Sequence, residues 1–137
     1  MRLDANVVLR FLLADDREQS AAAESLLTEA PAGTLTLSAL TLAEVTWVLL
    51  SHYETPRALV ATALQRVLAL PAIRTEATVA DAVARFAATS LDFADCALAA
   101  EAVATGEAAV SFDRGLRAFR DLRALPPQAA LEDLARG

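Results

Sequence analysis

The residues of this chain best able to do chemistry are five carboxylates. Asp4, Glu44, Asp95 and Asp113 each follow a short apolar or β-branched run and open, or lie early in, a helical one. Asp92 precedes Asp95 by three residues in Leu91-Asp92-Phe93-Ala94-Asp95-Cys96-Ala97-Leu98-Ala99-Ala100. Singly, each reads as a helix cap or a solvated acid, favoured there by the helix dipole. Jointly they say more, because in an open parallel sheet such junctions meet at the carboxyl edge of the strands, where ligands bind. Two like charges about 4 Å apart repel by roughly 4 kcal/mol at an effective dielectric of 20. Four converging carboxylates would therefore take up protons or hold a cation. All-oxygen donors suit Mg²⁺ or Mn²⁺, and one histidine, His52, with one cysteine, Cys96, makes no structural zinc site.

These acids need elements to carry them. Arg2 to Asp4 reads as a short strand, followed by a buried helix through Val7-Val8-Leu9 and Phe11-Leu12-Leu13 that ends near Asp15-Asp16. Arg17 to Glu29 is a second helix, and Pro31 and Gly33 mark the turn after it. Thr34 to Ser38 alternates as a strand does. From Leu40 to about Tyr53 the pattern is helical, with Leu42, Val45, Leu49 and Trp47 placed on the inner side. Thr55-Pro56 predicts an N-cap and first position for the next helix, whose apolar side is Leu59, Leu64, Val67 and Leu68. Ala72 to Thr75 is a candidate strand, Ala77 to Ala88 a helix, and Asp92 to about Thr105 another, closed by Gly106. Ala108 to Phe112 predicts a last strand, Asp113 opens a helical turn, and Pro126-Pro127 ends the compact part before a helix over Gln128 to Arg136. Alternation of strand and helix, with connections too long for hairpins, predicts an α/β fold with a mostly parallel central sheet. A length of 137 residues suits one domain, 1–137.

Composition narrows the function classes. A net charge of −6 argues against a generic polyanion binder, although all 12 basic residues are arginine, whose planar fork suits phosphate contacts. Charges interrupt every apolar run before it reaches membrane-spanning length, and the first residues lack a secretory signal's apolar core. With a single cysteine there is no intramolecular disulfide, which fits a cytoplasmic protein.

Four segments taken in order resemble the PIN-domain ribonucleases, and among them the VapC toxins of bacterial toxin-antitoxin pairs. They are Asp4-Ala5-Asn6-Val7-Val8, Leu42-Ala43-Glu44-Val45, Asp92-Phe93-Ala94-Asp95-Cys96-Ala97-Leu98-Ala99-Ala100 and Ser111-Phe112-Asp113, with Asp95 and Asp113 spaced by 18 residues. The resemblance implies a three-layer α/β/α sandwich. It also implies that Asp4, Glu44, Asp95 and Asp113 hold Mg²⁺ or Mn²⁺ and catalyse hydrolysis of single-stranded RNA. Asn6 and Ser111 match supporting polar positions, and Arg114 stands where it would meet substrate. Ala5 and Ser111 occupy places where threonine is usual, and no further acid follows Asp113 closely. Asp92 reads as a cap or a supporting residue. A homodimer and a cognate antitoxin laid across the cleft are further implications, with no membrane partner.

Other residues have plainer readings. Arg114, Arg117, Arg120 and Arg123 recur every third residue and read as a solvated or ion-paired face, with RNA phosphates as the functional alternative. Trp47 reads as core, Cys96 as a small buried residue and His52 as a partner for a helix C-terminus. Two other functions compete: a catalytically idle domain of this fold that binds RNA or protein, and a haloacid-dehalogenase-type phosphatase. The phosphatase requires an aspartate where Asn6 stands and a lysine, which the chain lacks.

Overall fold

A computed structural model describes residues 1–137. The amino-terminal segment is extended and lies parallel to β1 (Leu35–Thr36): Leu3 N–H donates to the Thr36 carbonyl at 3.0 Å and Thr36 N–H to that of Met1 at 2.7 Å. On its other side β1 pairs in parallel with β2 (Ile73–Arg74), Leu35 opposite Ile73. A second parallel pair, β3 (Ala109–Val110) with β4 (Ala124–Leu125), places Ala109 opposite Ala124. Every pairing is thus parallel, as expected, but the ladder is divided in two where a single central sheet was predicted. The strands are short because capping residues take over at once. Asp4 caps α1 (Ala5–Leu13), and Ser38 caps α3 (Ala39–Trp47) by accepting the Thr41 N–H at 3.2 Å. β4, just before Pro126-Pro127, completes a ladder that the sequence pattern does not predict.

The helices flank these ladders. α2 (Arg17–Glu29) packs on α1, and α5 (Ala77–Ala88) on α6 (Phe93–Thr105), the two largest helix interfaces. Gly106 ends α6 in the left-handed conformation, φ 73°, and so serves as its cap. Buried side chains form one contiguous cluster from Leu3 to Leu122, in which Phe86, Leu42, Leu64 and Cys96 are fully enclosed. α7 (Pro127–Arg136) leaves Leu131 and Leu134 exposed.

Four expectations change between α3 and α4 (Arg57–Leu68). The helix after Ser38 does not continue regularly to Tyr53; it widens at Val48–His52 into a π-helical turn, closed by Tyr53 N–H donating to the Val48 carbonyl. The inner side of α3 is filled by Leu42, Val45 and Thr46, so Trp47 points outward and is 66% exposed. At α4, Pro56 takes the cap position in place of Thr55, whose N–H instead donates to the Leu49 carbonyl at 2.9 Å. Its buried side is Val60, Ala61, Leu64 and Val67, and Leu59 is exposed. His52 stands in the last turn of the π-helical stretch, the place expected of a partner for a helix C-terminus, exposed and with its ring edge-on to Tyr53.

Candidate functional site

Asp4 and Glu44 come from neighbouring elements. Asp4 is the exposed N-cap of α1, with the Asn6 N–H approaching its Oδ2 at 3.4 Å. Thr41, at the start of α3, donates its hydroxyl to the Leu3 carbonyl at 3.3 Å, which fixes α3 to the residue preceding Asp4. Glu44, exposed, follows one turn later on α3.

Asp95 lies in the first turn of α6, where the helix dipole favours a carboxylate. Burial nevertheless pushes its carboxyl above the usual range, aided by the charges of Asp113 and then Asp92. Asp113 and Asp92 therefore both act on Asp95. Asp92 holds the N-cap position of α6 without making a side-chain cap bond, so it is a cap by place only, and its carboxylate stays exposed. Asp113 is held by its own loop: its N–H donates to Ser111 Oγ at 2.9 Å, and its Oδ1 accepts the Gly115 N–H at 2.7 Å. The 3₁₀ turn Arg114–Ala118 starts there.

Two features missed in the sequence reading hold Asp95 and Asp113 in register. Arg57, opening α4, donates to the carbonyls of Phe86 and Thr89 at 3.0 and 2.9 Å and to that of Leu91, and its guanidinium lies 3.8 Å from the centre of the Phe86 ring. It thereby caps the end of α5 and fixes the turn that feeds Asp92. Leu91 in turn presses on Gly115: a Cβ at residue 115 would stand 2.5 Å from Leu91 Cδ2 and 3.0 Å from Asp113 Oδ1. Both atoms end flexible side chains, so Gly115→Ala should displace the carboxylate more than it disturbs the fold. We expect a thermal midpoint close to wild type with a clear loss of any cleavage activity, read by calorimetry beside an RNA-cleavage assay.

The predicted site residues are thus partly gathered. Asp113 and Asp92 bear on Asp95, whereas Asp4 and Glu44 make no bond to them, and no three His, Cys, Asp or Glu side chains are grouped closely enough to hold one metal ion. The expected four-acid convergence is not a closed cage, because carboxylates only accept hydrogen bonds and repel one another when nothing positive lies between them. The donor chemistry still fits Mg²⁺ or Mn²⁺: such an ion keeps several waters and needs one or two carboxylates plus substrate phosphates. Asn6 lines a groove of about 280 Å³ between α1 and α2, with Arg10 and Leu26. Ser111 and Arg114 do share a wall with Asp113, in a cavity of about 200 Å³ completed by Phe112, Arg117 and the β4 end. Of the arginine stripe, Arg114, Arg117 and Arg120 are exposed, while Arg123 pairs with Asp133 at 2.6 Å. Cys96 is enclosed in α6, and burial raises its thiol, consistent with a packing role.

No helix is long and apolar enough to cross a membrane. No curated protein matches the chain. The PIN domain family, whose members are generally metal-dependent nucleases, matches residues 1–122, nearly the whole chain, including Asp4, Glu44, Asp92, Asp95 and Asp113. With its helix-rich parallel α/β architecture and this match over most of its length, the chain belongs to the PIN domain family.

Proposed function

We propose that this protein is a Mg²⁺- or Mn²⁺-dependent endoribonuclease cutting single-stranded RNA, with Asp4, Glu44, Asp95 and Asp113 as its metal-holding and catalytic acids. The observation that carries this reading is the acid group at the start of α6: half-buried Asp95 in its first turn, exposed Asp92 at its cap position, and Asp113, none of them in an ion pair. A protein that stabilised only its own fold would gain by neutralising such a group; a cation site needs it. When bound, a divalent cation supplies an acidified water and neutralises charge on the phosphodiester. Asp4 and Asp95 are its principal holders, Asp113 and Glu44 complete the set or orient water, and Ser111 keeps the Asp113 loop in place through the 2.9 Å bond. Asn6 supports the site from the first turn of α1, and Arg114 meets the substrate strand.

The order of the four acidic segments further supports a toxin role, with a cognate antitoxin and a second copy of the chain as protein partners in the cytoplasm. A second reading, an idle domain that binds RNA or protein, is favoured by the open spacing of the acids. Titrating Mn²⁺ into the protein by calorimetry separates the two. Heat of binding in wild type that is lost in Asp95→Asn, together with Mn²⁺-dependent cleavage of single-stranded RNA, is the expected result. A protein that takes up no Mn²⁺ and cuts no RNA would be the idle domain.

A further inference from the structure

Resting on the nuclease reading, we propose that Phe112, Arg114 and Arg117 form a single-nucleotide subsite beside Asp113. There the Phe112 ring stacks on an unpaired base and the two guanidinium groups hold phosphates of the same strand. Phe112 is 87% exposed, whereas Phe86, Phe93 and Phe119 are buried and Phe11 is half-buried, so core packing does not explain it. A phenylalanine left in water forgoes the stabilisation that burying its ring would supply. Its backbone is nonetheless fixed, because Ser111 N–H donates to the Leu125 carbonyl at 3.0 Å and Asp113 N–H to Ser111 Oγ. The ring is therefore presented on an ordered turn, which lowers the cost of engaging a partner.

The charge around it matches a nucleic acid strand. Arg114 and Arg117 line the same cavity and take part in none of the chain's ion pairs, although the protein carries a net charge of −6. Arg85, Arg10 and Arg123, by contrast, are bound to acids. A cavity of about 200 Å³ lies below the usual range for whole ligands, so it takes part of a strand and not a free ligand. An aromatic face flanked by arginines is the recurring device for single strands, whose bases offer a free face that a duplex hides.

The test uses fluorescence anisotropy with a labelled single-stranded oligoribonucleotide in EDTA, where no cleavage occurs. Phe112→Ala should weaken binding by about tenfold, and Phe112→Trp should restore it. A fully abasic strand should bind wild type and Phe112→Ala alike. Arg117→Gln should reduce the slope of log affinity against log salt by about one. The proposal is overturned if folded Phe112→Ala binds RNA as wild type does, or if the abasic strand shows the same loss. It is equally overturned if Phe112→Ala loses only the capture of a protein partner. Unchanged RNA affinity in Phe112→Ala beside intact Mn²⁺-dependent cleavage by wild type overturns the subsite alone. Wild type that neither binds nor cuts RNA overturns the nuclease reading with it.

Discussion

Asp95→Asn is expected to lower metal-dependent RNA cleavage by about a hundredfold or more and yet to raise the thermal midpoint at pH 7. Both effects come from one cause. Asp95 is pushed above the usual carboxylate range by burial first, then by the charges of Asp113 and Asp92. The folded state therefore holds the Asp95 proton more tightly than the unfolded chain does. As pH rises from the ordinary carboxylate range through the raised folded value, stability falls, and above that value it stays at its lower level. Asparagine removes the charge and with it this loss, while also removing an oxygen that a cation needs. Thermal unfolding in EDTA from pH 3 to pH 8 measures it. The gain in Asp95→Asn should be present at neutral pH and shrink below the ordinary carboxylate range. A midpoint lower than wild type at pH 7 would show that Asp95 serves the fold.

Arg85→Met should have the opposite character, a loss of about 2 kcal/mol of stability or roughly 5–10 °C in the thermal midpoint. Arg85 is only 9% exposed, on α5. It donates to Asp81 at 2.9 Å one turn earlier and forks onto Asp121 with both terminal nitrogens, while its guanidinium lies 4.8 Å from the centre of the Phe119 ring. One side chain thus pins the segment after Asp113 to the α5–α6 layer. Asp81 and Asp121 are about half exposed and rehydrate when the arginine is lost, which keeps the cost below that of breaking a fully buried pair. The Arg85 bond holds Asp121 below the usual carboxylate range, so this contribution is present above that range and is lost as pH falls through the depressed folded value. Arg85→Met should accordingly flatten the acid limb of the stability profile, as Asp121→Asn should. An acid limb unchanged in both variants would place the acid sensitivity elsewhere, with Asp15, held low by Arg10, as the other depressed carboxylate.

Much of the helical framework was legible before any coordinates. α2 and α5 span the residues their apolar spacing and flanking turns predict, and α6 runs from just after Asp92 to Gly106 as its alanine-rich pattern requires. Such signals act within four residues, the reach of a helical hydrogen bond or a cap, so the local sequence contains them whole. The ordered acids were legible for the same reason: Asp4 and Asp113 cap helical turns, Asp95 lies in the first turn of α6 and Glu44 lies within α3.

What lay beyond the sequence depended on groups far apart along the chain. A two-residue strand has no periodicity to read, so β4 exists only because β3 lies beside it. The outward turn of Trp47 follows from the π-helical turn and from which neighbours fill the core. Arg85 meets Asp121 across 36 residues, and the i, i+4 spacing of Asp81 with Arg85 was the one local hint of that cluster. At the candidate site, sequence order placed Asp4, Glu44, Asp95 and Asp113 at one kind of position. Only the tertiary structure decided that Asp95 and Asp113 are held in register through Arg57, Leu91 and Gly115, because burial, like-charge repulsion and close backbone approach are properties of folded neighbours.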